Sequence, residues 1–407
     1  MKISNFRFSF IIFFLTFLFL SIISFYRIRS LPLSALGGLD IRAFYTGGRM
    51  LSNGIKSDFY SFSTQYDWQK DIFSLTDKKY LMPFVFPSFV AIPFSFLSSF
   101  PVSFTYKIIT LVNILLAVIS FFVLMYEFKI FSSPLFTLFI CLLILIYAPL
   151  WEALRQGQLS LLLLFSFVSS WYVLKRHKYL EGGVLLSLLF MRPNLLFVPF
   201  LVFIWKREWK ILSGIIIGTV VLLLISVGVT GAFSMYKYFT LLFSLPSLGN
   251  SYTIHPQLEP TIRGFLQSLY HSDSFIKVLP IYLLLSTGFF VSLIYSWRGK
   301  INPQKDLFNI QWAALIFVTV LTSPHTNPHD LVLLVFPLML LLCIFTYGYF
   351  QKPQGRTYIV SLVILIFTCG AGLFIFYPLI LFPLLLAIAL LVICRAIGRQ
   401  PDLPVQA

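Results

Sequence analysis

Apolar runs long enough to cross a lipid bilayer recur down the whole of this 407-residue chain, and they limit its fold more than any other feature. They fall at about residues 8–26, 84–100, 104–126, 132–150, 159–174, 183–205, 211–231, 276–297, 308–322, 331–350, 357–375 and 379–394. A hydrocarbon core of roughly 30 Å is crossed by about 20 helical residues. Inside lipid every backbone N–H and C=O must find its partner within the protein, which a helix achieves locally. A chain that is 58% hydrophobic and 11% charged, with a mean hydropathy of +0.90, is excluded from the soluble globular class. The expected architecture is all-α: a polytopic transmembrane helical bundle of about 10–12 spans. It is expected to form one integral-membrane domain over residues 1–407, with no soluble appendage.

Charge gives the expected orientation. Lys2 and Arg7 precede an apolar run to Phe25, and no small-x-small cleavage site stands before Tyr26-Arg27, so this segment reads as an uncleaved anchor. Thirty basic residues against 14 acidic give a formal charge of +16. In a membrane chain that excess reads as topology-setting loops beside anionic lipid, and no nucleic-acid partner is expected. Basic junctions at Lys206–Lys210, Arg298/Lys300/Lys305, Lys352/Arg356 and Arg395/Arg399 share one side if every span between them crosses. With that side in the cytoplasm, residues 27–83 form a first extracytoplasmic loop and residues 232–275 a second. Residues 323–330 then also lie outside.

The middle has two solutions. If all five segments between 84 and 205 cross, Lys175-Arg176-His177-Lys178 falls outside, against the charge bias. The other solution makes 84–100 (broken by Pro87 and Pro93) and 183–205 (broken by Met191-Arg192-Pro193-Asn194) re-entrant. The cluster then lies inside and Trp151–Gln158 outside, as the bias favours. Cys141, Cys343, Cys369 and Cys394 sit in apolar segments at unrelated spacings and suggest neither disulfides nor a zinc site.

Chemistry concentrates in the polar segments. Leu39–Tyr60 carries an isolated acid, Asp40, ahead of a helix-like pattern, then Asn53-Gly54 and a Phe-Tyr pair. Asp40 has two available roles: a cap accepting a backbone N–H, or a general base beside the membrane. Asp58, Asp67, Asp71 and Asp77 alternate with lysines and read as a solvated face. No Asp-x-Asp pair occurs in the loop, so a divalent-metal clamp is not supported and no cofactor is expected. Arg192, inside LLSLLFMRPNLLFVPF, is the costliest residue, since a guanidinium at mid-bilayer depth costs about 2.5–3.5 kcal/mol on insertion scales. Followed by Pro193 and Asn194, it reads either as a helix break offering donors and a fixed charge to a phosphate, or as a loop arginine snorkelling to the surface. In Ser323–Asp330, His325 and His329 are four apart, but Pro328 argues against one helical face and hence against a metal pair. His329 or Asp330 instead opens the following helix into an outer cavity, or caps between helices. Trp151–Gln158 is a polar junction before a span, and His255, Gln257, Glu259 and Arg263 populate the second outer loop.

Asp40 followed by Tyr45, Gly48, Asn53-Gly54 and Phe59-Tyr60 resembles the first outer loop of glycosyltransferase family 87. Tyr80, Pro83 and Pro93 continue the resemblance, as do Gly157-Gln158, Arg192-Pro193, Arg263-Gly264, and Ser323-Pro324 with His329. That family comprises integral-membrane enzymes of the GT-C superfamily that use polyprenyl-phosphate sugars. The resemblance implies a GT-C-like bundle in a cell (inner or cytoplasmic) membrane, with an extracytoplasmic active site. It implies inverting transfer of a hexose, mannose above all, from a polyprenyl-phosphate donor to a lipid or glycan acceptor. Asp40 would be the general base and His329 a second catalytic residue; Arg192, with Lys79 and Arg263, would hold the donor phosphate. Tyr45, Tyr80, Gln158, Asn194 and Asp330 would contact substrate. The chain departs from the family pattern at Arg192 (usually Lys), at Asn327 (usually Trp) and at Asp330 (usually a second His).

A lipid-borne donor also accounts for the lack of a glycine-rich nucleotide loop. Two other readings stay open. A lipid or lipid-linked-sugar transporter or flippase would carry paired broken helices in corresponding halves, whereas both interrupted segments here lie in the N-terminal half. A lipid-linked-glycan ligase or polymerase would place its key residues in the late outer loop, 232–275.

Overall fold

A computed structural model describes residues 3–31, 36–245, 252, 256–272, 274–299 and 301–346. The expected spans at 357–375 and 379–394, with the basic junctions beyond 346, lie outside the described residues. So do His255, Cys369 and Cys394. The described chain is helical throughout, with no strand.

Among the described residues the apolar runs fold as helices, of two kinds. Four of the described helices are long and apolar enough to cross a membrane: α1 (Ile3–Ser30), α5 (Val102–Glu127), α11 (Trp209–Thr230) and α14 (Phe275–Ser296). A fifth crossing forms if α6 (Pro134–Ile146) and α7 (Ala148–Gln156) are one span, bent by 51° where Tyr147 and Pro149 interrupt the ladder. The other apolar runs form shorter helices: α8 (Ser160–Leu174), α9 (Tyr179–Leu186) continued by a 3₁₀ turn to Met191, α10 (Pro193–Lys206), α15 (Asp306–Thr322), and α16 (Val335–Thr346) entered through a 3₁₀ turn from Pro328. The protein is a multi-span all-α membrane bundle.

The bundle has two distinct ends. At one, Arg176 and Lys175 reach Glu127 at the close of α5, and the Asn5 side chain donates to the Ser132 carbonyl. Gln304 donates to the Lys175 carbonyl and Lys206 to that of Gly299, so the basic junctions before α9, after α10 and before α15 meet there. Helices α9 and α10 therefore leave this basic end and return to it, with Arg192 at the apex. Residues 84–100 stay at the opposite end: Ser88 Oγ donates to the Ser226 carbonyl (3.0 Å) near the far end of α11. Residues 183–205 thus begin and end at the basic end, residues 84–100 stay at the other, and Trp151–Gln158 lies at the end opposite the Lys175–Lys178 cluster.

That opposite end carries a cap. It is built from α2 (Ile41–Ser52), α3 (Phe62–Phe73), α4 (Ala91–Leu97), α12 (Ala232–Ser244) and α13 (Ile262–Leu269). Helix α2 packs along α4, and Phe44 stacks on Phe94 with centroids 5.1 Å apart. Two buried amides one turn apart on α3 hold the extended chain that follows. Gln65 bonds Phe84 N (2.7 Å) and Gln69 bonds both Met82 N (3.1 Å) and Met82 O (2.6 Å). They satisfy backbone groups that have no ladder partner, a requirement for any buried irregular segment.

Candidate active site

Between the cap and the bundle lies a cavity of about 380 Å³, within the usual range for small-molecule sites. Its architecture begins at the end of α7. Gly157 closes that helix with φ +65°, a left-handed conformation open to glycine at little cost. A Cβ there would stand 3.0 Å from the Ile41 side chain. The tight turn sends Gln158 back toward the cap, and Asn113 Nδ2 anchors the Gln158 carbonyl at 2.8 Å.

Gln158 meets Asp40. Its Nε2 donates to Asp40 Oδ2 at 2.5 Å, and the Asp40 amide donates to Gln156 Oε1 at 3.1 Å. Gln156 in turn donates to Glu152 Oε1 (2.7 Å), a carboxylate that Arg155 clasps with two nitrogens. Asp40 precedes α2 but its side chain caps no backbone N–H, so the capping role is not the one realised. Its carboxylate is 19% exposed and lines the cavity. Nearby, burial lowers the Arg42 guanidinium to about 10, with the Asp40 charge opposing that shift.

Behind Asp40 sits a buried polar ring. Arg192 NH1 pairs with Asp330 Oδ2, and Arg192 NH2 lies 3.4 Å from Gln158 Oε1 and 3.2 Å from His329 Nε2. A guanidinium only donates, so His329 Nε2 accepts and the ring's hydrogen sits on Nδ1, which is 3.7 Å from Asp40 Oδ2. Asp330 also accepts from Ser160 Oγ (2.7 Å) and Asn327 N (3.0 Å). Such satisfaction is what a buried carboxylate requires. Arg192 is not snorkelling: it is buried, and Pro193 at the first position of α10 sets the break that turns it inward.

The facing wall comes from the second outer loop and the turn before α16. Asn194 Nδ2 donates to Ser323 Oγ (2.7 Å) and to the His325 carbonyl (2.8 Å). Arg263 donates to the Pro324 carbonyl (2.8 Å) and to Gln267 Oε1 (2.8 Å), and His325 Nδ1 lies 2.5 Å from Glu259 Oε1. Among the described residues no group of three or more His, Cys, Asp and Glu side chains is arranged to hold a metal ion.

The model of glycosyltransferase family 87 matches residues 84–324, more than half of the chain. The chain belongs to glycosyltransferase family 87. No curated protein and no solved structure matches it. The family match takes in Gln158, Arg192, Asn194 and Arg263. Asp40, His325, His329 and Asp330 lie outside the matched residues and join the site through the fold alone.

Of the expected site residues, Asp40, Gln158, Arg192, Asn194, Arg263 and His329 line the one cavity. Asp330 stands behind Arg192, fully buried, as its counter-charge. Three others are placed elsewhere. Lys79 is exposed, pairs with Asp77 at 3.7 Å and stacks on Tyr80. Tyr80 is about half exposed; its ring lies against Lys79, its amide donates to the Asp77 carbonyl and its carbonyl accepts from Arg42. Tyr45 turns its hydroxyl away to the Ser98 and Phe100 carbonyls, fixing α2 to the end of α4. A helix presents successive residues 100° apart, so Asp40 and Tyr45 face different ways despite their proximity in sequence.

Arg192 and Asp330, the two positions where the resemblance implies a lysine and a histidine, are neighbours in the structure. Asp330 gives the planar, forked guanidinium of Arg192 a carboxylate partner. Glu152, Gln156, Ser160 and the Glu259–His325 pair belong to the site but were not selected from sequence. Glu152 did carry a signal: it is the sole acid between Glu127 and Glu181, next to apolar spans.

Proposed function

We propose that this family 87 member transfers a hexose, with mannose the sugar the family resemblance favours, from a polyprenyl-phosphate donor to a lipid or glycan acceptor. The observation that carries the reading is Asp40 itself, a carboxylate held by Gln158 on the wall of a cavity that also presents Arg192, Arg263 and His329. Asp40 takes the proton of the acceptor hydroxyl. The freed oxygen attacks the anomeric carbon on the face opposite the phosphate, the carbon–oxygen bond to phosphate breaks, and its electron pair leaves with the polyprenyl phosphate. The anomeric configuration inverts. His329, with Nδ1 toward Asp40, steadies the carboxylate as it takes the proton, and Gln158 fixes its direction. Arg192 and the N-terminus of α10 supply a positive potential for the leaving phosphate, an effect that counts most where water is excluded.

The chain works as one integral-membrane domain, with the cavity on the extracytoplasmic face of a cell membrane. Support for that orientation comes from Lys129, Lys175, Arg176, Lys206 and Arg207 at the opposite end, where the positive-inside bias puts the cytoplasm. The donor phosphate then sits at headgroup level, within reach of the cavity mouth.

The test is transfer by purified protein in liposomes, offered either polyprenyl-phosphate hexoses or sugar nucleotides, with the product linkage read by NMR. Transfer from the lipid donor alone, with inverted configuration, supports the reading. Transfer from a nucleotide sugar, or retained configuration, contradicts it. Movement of intact donor between leaflets without transfer would favour a flippase.

A further inference from the structure

The cations on the cavity wall do not suffice for a phosphate donor. Arg192 faces the buried Asp330, and Arg263 lies 3.9 Å from the buried Glu259 while its NH1 holds the Pro324 carbonyl. Glu152, on the same wall, is matched by Arg155. Among the described residues Asp40 makes no ion pair with a Lys or Arg and feels only the charges of the more distant Arg42 and Arg155, so the carboxylates around this cavity already offset its arginines before an anionic donor arrives. Phosphate enters such a site only if a further positive group meets it.

His325 is placed to be that group. It lines the cavity with about a third of its side chain exposed, and Glu259 takes its Nδ1 at 2.5 Å. Among the described residues its other ring nitrogen has no protein partner. Its imidazolium form carries two donors, one for Glu259 and one left for a ligand. The ring is also held in place from behind. Arg263 bonds the Pro324 carbonyl, Asn194 bonds the His325 carbonyl, and Ser323 Oγ bonds the same carbonyl at 2.9 Å. Gly264 lets the Glu259 segment lie directly on α13, since a Cβ there would come within 2.0 Å of the Glu259 carbonyl oxygen. A second, independent feature points the same way: the N-terminus of the 14-residue α10, through Pro193 and Asn194, opens on the cavity beside this turn.

We infer that His325, oriented by Glu259, binds the phosphate group of the donor and stays on it as the leaving group departs. This rests on the glycosyl-transfer reading above. It assigns different groups lining the cavity to the two halves of the reaction: Asp40 and His329 to the acceptor, His325 and the start of α10 to the phosphate.

The experiment compares wild type with His325→Gln, His325→Lys and Glu259→Gln, each checked for an unchanged unfolding profile. Donor KM, acceptor KM and inhibition by polyprenyl phosphate are measured, with inorganic phosphate as the headgroup-only control. A hydrogen bond to a charged group predicts about a 10- to 100-fold rise in donor KM and in the polyprenyl-phosphate inhibition constant for His325→Gln. Acceptor KM stays unchanged, His325→Lys recovers part of the loss, and Glu259→Gln falls between. Unchanged donor KM and inhibition constant in His325→Gln overturn the assignment, as does an equal rise in acceptor KM. Inhibition by inorganic phosphate that is lost with His325 marks the headgroup as the determinant; inhibition by the lipid phosphate that ignores His325 overturns it. If wild type transfers no sugar from a lipid donor, the glycosyl-transfer reading fails. Direct binding of polyprenyl phosphate to wild type and its loss in His325→Gln then decides this site separately.

Discussion

Removing Arg192 alone leaves Asp330 ionised and fully buried, and that is the most demanding perturbation of this site. Breaking one side of a buried ion pair costs about 3–5 kcal/mol, because the remaining charge has neither water nor partner. Asp330 keeps Ser160 Oγ and the Asn327 amide as donors, which puts Arg192→Met toward the lower end, about 3 kcal/mol. Asp330→Asn leaves the guanidinium with Gln158 and His329 only, a loss of similar size. The double variant removes both charges and keeps the volume, so it should recover much of the loss, with a coupling of about 1–3 kcal/mol. Reversible unfolding in detergent mixtures, followed by the fluorescence of the buried Trp171, Trp297 and Trp312, gives all four corners of the cycle. Single losses that simply add in the double variant, within about 0.5 kcal/mol, would refute the pairing. Sugar transfer should be lost in the double variant even where stability returns, because Arg192 also orders Gln158 and His329.

Other outcomes follow from the same geometry. Gln158→Leu should lower kcat by about 10- to 100-fold with donor KM nearly unchanged, since it removes the Nε2 donor that fixes the Asp40 carboxylate; initial rates at saturating donor check this. Gly157→Ala forces a Cβ into φ +65° against Ile41 and should cost at least about 1 kcal/mol of stability together with transfer, read by unfolding and rate in parallel. Tyr45→Phe should cost about 0.5–1.5 kcal/mol through the lost bonds to Ser98 and Phe100 while leaving both KM values alone. Lys79→Ala should change neither stability nor donor KM, because Lys79 stands on the exposed surface with Asp77; a raised donor KM would show that it reaches the substrate.

The sequence made the bundle and its interrupted segments legible because the physics of lipid is coarse. Runs of apolar residues must be helices, and Pro193 after Arg192 must break one. What it concealed was depth. The same hydropathy that marks 84–100 as a span also suits a helix folded onto α2 within the cap, and only contacts such as Ser88 with Ser226 distinguish the two. Asp40, Arg192 and His329 stood out because each is polar where polarity costs free energy. Glu259 and His325 did not, since a loop carries such residues whether or not they face a cavity. Lys79 and Tyr80 drew attention by position along the chain, but Asp77 and the exposed surface hold them outside the cavity. The partnership of Arg192 with Asp330 spans 138 positions, and no local pattern announces it.

The central claim is that Asp40 deprotonates the acceptor. It is tested most directly by transfer from a radiolabelled polyprenyl-phosphate mannose in membranes holding equal amounts of wild type or Asp40→Asn. Asparagine keeps the shape and can still meet Gln158, but it cannot take a proton. The account predicts transfer by wild type and a fall of about 10²- to 10⁴-fold in the variant, with donor KM little changed. Equal transfer by both proteins would remove Asp40 from the chemistry and leave it a structural anchor between α2 and the end of α7.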